Sequence, residues 1–178
     1  MGYRHSRDEI LEGALAVAVS DSLGELTFGR VAKHLGVSDR MVVYYFPTKD
    51  DLLGEVLLLV GTRLMEVLAR AFTSTAADHR ELARMAWPIL ARPAIDPWFA
   101  LFFEANGMAA AGRVPYVELV PQLVDAWVGW VAGFLTGTPA RRRAEAEAVV
   151  ALLDGLLLLR QLGGAATANR AARRLGVR

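Results

Sequence analysis

The chain has 178 residues, enough for one domain or a small domain joined to a larger one, and its 54% apolar and 22% charged content supports a core and excludes disorder. Cysteine is absent, which excludes disulfides, thiolate metal sites and a cysteine nucleophile, and His5, His34 and His79 show no metal-ligand spacing. Net charge is +1, and residues 1–50 carry six Lys or Arg against seven Asp or Glu, so any nucleic-acid-binding face must come from where charge is placed, not from its sum.

The pattern is helical throughout, with no sustained strand alternation and no internal repeat. Ser6 and Glu9 make a capping box, and Ile10, Ala14, Val17 and Ala18 follow at helical spacing to about Ser22. Met1-Gly2-Tyr3-Arg4-His5-Ser6 also fits an N-myristoylation pattern, but Ser6 is better used as the cap. Thr27 is expected to cap a second helix whose inner face is Phe28, Val31, Ala32 and Leu35, with Gly36 as a left-handed stop. Ser38 is expected to cap a third helix that Pro47 ends, and Thr48 with Asp51 opens a fourth. That fourth helix meets no breaker until about Phe72, a run of about 37 Å.

Further helices are predicted over 78–92 and 96–111, the second with Asp96 as cap and Pro97 at its first position. A long helix follows over 115–135, and Thr136-Gly137-Thr138-Pro139 stops it and starts another that reaches about Leu162. A small basic helix with Arg170, Arg173 and Arg174 closes the chain. The N-terminus lacks the apolar core of a signal peptide, and the apolar run after residue 150 is interrupted by Asp154 and closed by Arg160. The expectation is a soluble, cytoplasmic protein with no membrane partner.

Two short helices joined through Leu35-Gly36-Val37-Ser38, the second of them N-capped, make a helix-turn-helix. The second helix of that motif enters the major groove. Val42 faces back toward Val31, Ala32 and Val37, which leaves Asp39, Arg40, Met41, Val43 and Tyr44 on open faces. Arg40 suits guanine, and outward apolar groups suit the thymine methyl. The alternative is a helical hairpin whose exposed aromatics pack on a neighbouring helix.

Residues 10–53 resemble the N-terminal domain of the TetR family of bacterial transcriptional regulators. The matching positions are Ala14, Thr27, Val31-Ala32, Gly36-Val37-Ser38, Tyr45-Phe46, Lys49 and Leu52, about a quarter of the chain. The resemblance implies an all-α protein: a three-helix helix-turn-helix domain (1–50) joined by a long helix to a helical effector-binding and dimerisation domain (51–178). It implies phosphate contacts at Tyr45 and Lys49, caps that also touch the backbone at Thr27 and Ser38, and groove-facing side chains at Asp39, Arg40, Met41 and Val43. Val43 replaces the first Tyr of the family's motif, so that phosphate contact is lost or moved to Tyr44. Asp39 repels phosphate, so it either accepts from a cytosine amine or pairs with Arg40.

Beyond residue 53 there is no motif. The helices over 115–135 and after Pro139 are apolar on two sides and joined by a tight turn, so they form an antiparallel pair buried on two sides. Pairing two such hairpins across a two-fold axis gives a four-helix dimer interface, with Val120, Val124, Val149, Leu152, Leu153 and Leu156 as its expected members. Arg141, Arg142 and Arg143, followed by Glu145 and Glu147, read as a solvated helix end. Trp98, Phe102, Phe103, Trp127 and Trp130 are core or the lining of a pocket for a small hydrophobic effector, with Glu104, Asn106, Gln122 and Asp125 available as its polar groups.

The expected function is a dimeric regulator that binds double-stranded operator DNA, a repressor released by a small apolar or aromatic effector. A DNA-binding regulator without an effector is the alternative. An enzyme is disfavoured, since no phosphate loop, metal cluster or nucleophile set is present in the sequence, and no cofactor is expected.

Overall fold

The computed structural model describes residues 5–178, and its described residues form eight α-helices with a single isolated bridge between Ala76 and Leu135. They pack as two compact units, Met1–Thr62 with Leu101–Val120, and Arg63–Ala100 with Pro121–Arg178.

The first unit begins with α1 (Arg7–Asp21), opened by the reciprocal capping box: Glu9 N–H donates to Ser6 Oγ at 3.2 Å and Ser6 N–H to Glu9 Oε2 at 2.7 Å. Ser6 therefore serves as a cap; Met1–Arg4 of the lipidation pattern lie outside the described residues. Ile10, Ala14, Val17 and Ala18 are buried. Gly13 lets the next helix approach, because a Cβ there would lie 2.7 Å from Leu35. α2 (Phe28–Leu35) is capped by Thr27, whose Oγ1 accepts from Arg30 N–H at 3.3 Å, and it stops at Gly36 with φ 68°.

α3 (Asp39–Tyr45) differs in one respect from expectation: Ser38 holds the extended N-cap backbone, but its side chain makes no capping hydrogen bond. Val42 and Phe46 are buried, and the Arg7 guanidinium covers the Phe46 ring at 4.8 Å. α4 (Lys49–Ala69) starts as predicted, with Thr48 and Asp51 capping each other at 3.0 Å in both directions. It ends three residues before Phe72, whose ring turns inward onto Phe134 at 4.7 Å.

In the second unit, Asp78 caps α5 (His79–Leu90), accepting from Glu81 N–H at 2.9 Å. A 3₁₀ turn, Pro93–Ile95, leads into α6 (Asp96–Ala110). Asp96 is not the cap expected of it: its backbone is helical and its carboxylate forks onto Arg160 at 2.6 and 2.9 Å. α7 (Tyr116–Ala132) and α8 (Pro139–Arg174) follow, the latter capped by Thr138. α8 breaks its helical geometry at Gly164, φ 79°, so the predicted basic tail helix is its final segment. Arg143 reaches Asp125 at 2.6 Å and Glu147 at 3.1 Å on an exposed surface, as a solvated helix end should.

Four of the side chains expected at a dimer face lie inside the protomer. Val120, Val149, Leu153 and Leu156 are buried inside the protomer, so their side chains already serve its own core. Leu152 and Val124 are half-buried. The large apolar side chains that α8 leaves in solvent are Leu158 and Leu162, 42% and 80% exposed.

Candidate nucleic-acid interface

α3 is short, and with one face against α1 and α2 it has few residues to offer outward. Val42 takes the inner position. Ser38, Asp39 and Arg40 at the N-terminal end are exposed, Met41 is half-buried, and Val43 and Tyr44 are 40% and 79% exposed. Tyr44 stacks edge-on against Tyr45 with ring centroids 5.0 Å apart, which holds its phenol outward at the end of the helix. An exposed ring that packs only on its neighbour in the chain is unusual for a soluble surface and is available to a partner.

Charge is sorted in the same way. Arg7 pairs with Glu55 at 2.7 Å, and Arg30 bridges Asp21 and Glu25, each at 2.7 Å. The Ser20 hydroxyl first, and then Arg30, hold the Asp21 carboxyl below the usual range. Among the described residues, Lys33 and Arg40 make no ion pair, and Lys49 makes only a 3.4 Å contact with the Gly24 carbonyl. So a segment with no net positive charge still presents, among its described residues, three Lys or Arg side chains without an ion pair, Arg40 on α3 itself. Asp39 and Arg40 do not pair, because adjacent helical residues point about 100° apart. Asp39 lies in the first turn of α3, where the helix dipole favours a carboxylate.

Of the expected contact residues, Tyr45 has its hydroxyl engaged within the protein. Tyr45 is half-buried and its hydroxyl donates to the His5 carbonyl at 3.0 Å, so its one hydrogen already has an acceptor. Tyr44, with no such acceptor among the described residues, has the free phenol. Thr27 is exposed, and while its Oγ1 accepts from Arg30 N–H as a cap, its hydroxyl hydrogen is left to donate.

The expected effector groups include a ring pair within each unit. Phe102 and Phe103 touch each other at 5.6 Å in the first unit. In the second, Trp127 meets Trp130 at 5.4 Å, and Trp130 joins Phe134 and Phe72, two rings not among the expected effector groups. Trp98 is half-buried. Of the polar candidates, Asp125 is exposed and paired with Arg143, and Glu104 is engaged by backbone N–H groups. Asn106 alone offers a buried side-chain oxygen with no partner among the described residues. No group of three or more His, Cys, Asp or Glu suited to a metal occurs among the described residues.

Comparison with known proteins bears on this geometry. The family model described as bacterial regulatory proteins, tetR family, matches residues 10–56, which span α1 to the start of α4. The HTH-type transcriptional regulator BetI of Paraburkholderia phytofirmans is 26% identical over 176 residues, covering 95% of this chain and 88% of the relative. A transcriptional regulator from Rhodococcus sp. Rha1 superposes with a TM-score of 0.74 at 21% identity, over 96% of this chain and 94% of that one. The multidrug binding protein EbrR, solved in complex with malachite green, superposes with a TM-score of 0.72 at 25% identity, over 97% and 96%.

Proposed function

We propose that this chain is a member of the TetR family of bacterial transcriptional regulators, acting as a dimeric, sequence-specific repressor released by a small aromatic or apolar effector. The observation that carries the DNA reading is the outward row on α3: Arg40 without an ion-pair partner among the described residues, then Val43 and Tyr44 exposed. Arg40 reads guanine through its two parallel N–H donors, Val43 and Met41 meet thymine methyls, and Tyr44 and Lys49 hold phosphate. Residues 1–50 form the DNA-reading domain and residues 51–178 the effector and dimerisation domain. The protein acts in the cytoplasm, where its operator is.

Two copies pair through the apolar side chains that α8 leaves exposed, Leu158 and Leu162, together with half-buried Val124 and Leu152. A two-fold pair sets two recognition helices about 34–36 Å apart, one helical turn of DNA. The effector reading is supported by the clustered rings of Trp127 and Trp130 and by the ligand complex of EbrR.

Selection of random double-stranded DNA in vitro, followed by sequencing, tests the proposal. The expected product is an imperfect palindrome with half-sites about one helical turn apart. If no sequence is enriched, the regulator is not reading DNA through α3. Titrating malachite green against Trp fluorescence, with and without the selected site, tests the effector arm: linkage requires each ligand to weaken the other's binding by the same factor. Identical dye affinity in both conditions would favour a regulator without an effector of this class.

A further inference from the structure

The turn between α1 and α2 is built unusually. Ser22 has φ 116° and ψ 164°, a backbone region that essentially only glycine occupies without strain. Immediately after it, Leu23 and Gly24 point their two backbone N–H groups at one carboxylate, that of Glu104 on α6. Leu23 N–H donates to Oε2 at 3.0 Å and Gly24 N–H to Oε1 at 3.0 Å, across 80 or more residues of sequence. On the other side of the same turn the Gly24 carbonyl accepts from Lys49 Nζ at 3.4 Å. Leu23 is fully buried, so the turn is anchored by its side chain as well.

We propose that Glu104 is a positioning residue for operator binding: its carboxylate holds the strained Ser22–Gly24 turn in the shape that sets α2, and with it α3, for the DNA groove. The inference rests on the DNA-binding reading above and deepens it by naming what fixes the reading helices in place. A turn with a strained residue persists only when its surroundings over-determine it. Here the over-determination comes from two charge-assisted hydrogen bonds to N–H groups three and four residues ahead of the Thr27 cap. Without them the turn relaxes, α2 loses its fixed entry, and the ordering of α3 must be supplied when DNA binds. Since α6 also carries Phe102 and Phe103 just before Glu104, a rotation of α6 that repacks those rings moves the carboxylate with them. The turn is thereby made responsive to α6.

The test is a double-mutant cycle on the full chain. In Glu104→Gln the side-chain amide keeps one acceptor and turns a donor toward the other N–H, so affinity for the selected site should fall about tenfold. The salt dependence should keep its slope, since no phosphate contact is removed. Ser22→Gly, which makes the turn's backbone unstrained, should restore most of the loss in the E104Q background. Equal binding by E104Q and wild type overturns the proposal, as does a loss that Ser22→Gly leaves unrepaired, because a merely packing role for Glu104 would not be mended at Ser22. Hydrogen exchange on the wild type reads the grip without any variant: slow Leu23 and Gly24 amides support it, and loop-like rates overturn it. Failure of the wild type to select any DNA is a separate result and overturns the DNA reading itself.

Discussion

Asp154 lies in α8 between Leu153 and Gly155, half-buried, with neither an ion pair nor a hydrogen bond among the described residues. Burial alone raises its carboxyl from 3.8 to about 7. A carboxyl raised by folding stabilises the folded state most when both states are protonated, below 3.8, and that contribution is lost as pH climbs through about 7. At about 1.4 kcal/mol per pH unit the gap sets a ceiling of about 4 kcal/mol, and residual solvent contact cuts this to about 2 kcal/mol. Asp154→Asn keeps the shape and removes the titration. The variant should match the wild type near pH 4 and exceed it by about 2 kcal/mol at pH 8. Urea midpoints across that range, at one protein concentration so that association is held fixed, measure the difference. Every other carboxyl titrates in both proteins and cancels. Two midpoint curves that run parallel from acid to base would refute a charge cost at this position.

Arg40→Ala should cost about 1–3 kcal/mol on the matched operator and little on one mutated at the guanine it reads, whereas Lys49→Ala should weaken both equally; identical profiles in a binding titration would undo the assignment. Tyr44→Phe should lower operator affinity without changing stability, while Tyr45→Phe, which loses the bond to the His5 carbonyl, should cost about 1 kcal/mol in urea unfolding and leave base preference alone. Leu162→Glu should dissociate the dimer in sedimentation with helicity retained, since this side chain is 80% exposed in the protomer; a dimer that survives would place the interface off α8.

The features that were legible in sequence are those encoded within a few residues. Ser6 with Glu9, Thr27, Gly36, and Thr48 with Asp51 each satisfy backbone groups three or four positions away, so spacing alone reveals them. The features that were not legible join distant positions. Asp96 looks like a cap until Arg160, 64 residues on, takes both its oxygens. Glu104 looks like a free polar group until the Leu23 and Gly24 amides claim it. Tyr45 looks like a phosphate donor until the backbone of His5 receives its hydrogen. The α8 pattern, apolar on two sides, could not say which side its own chain covers; burial of Val149, Leu153 and Leu156 decides that, and leaves Leu158 and Leu162 outside.

The sorting of charge in the first unit leads to one more quantity. Within residues 5–50, Lys33, Arg40 and Lys49 are the exposed Lys or Arg side chains without an ion-pair partner among the described residues, while Arg7 and Arg30 are held by Glu55 and by Asp21 with Glu25. Neutral donors such as Tyr44 and the backbone N–H groups bind phosphate without displacing counterions. A dimer therefore neutralises about six phosphates, or about four if both Arg40 side chains face bases, which gives a slope of about −4 to −5 for log K against log salt. Residues 1–50 have no surplus of positive charge, so no diffuse field adds to that number. Operator titrations at several salt concentrations would measure it. A slope steeper than about −8 would mean that cations beyond these three reach phosphate, Arg7 and Arg30 among the candidates once they leave their carboxylates.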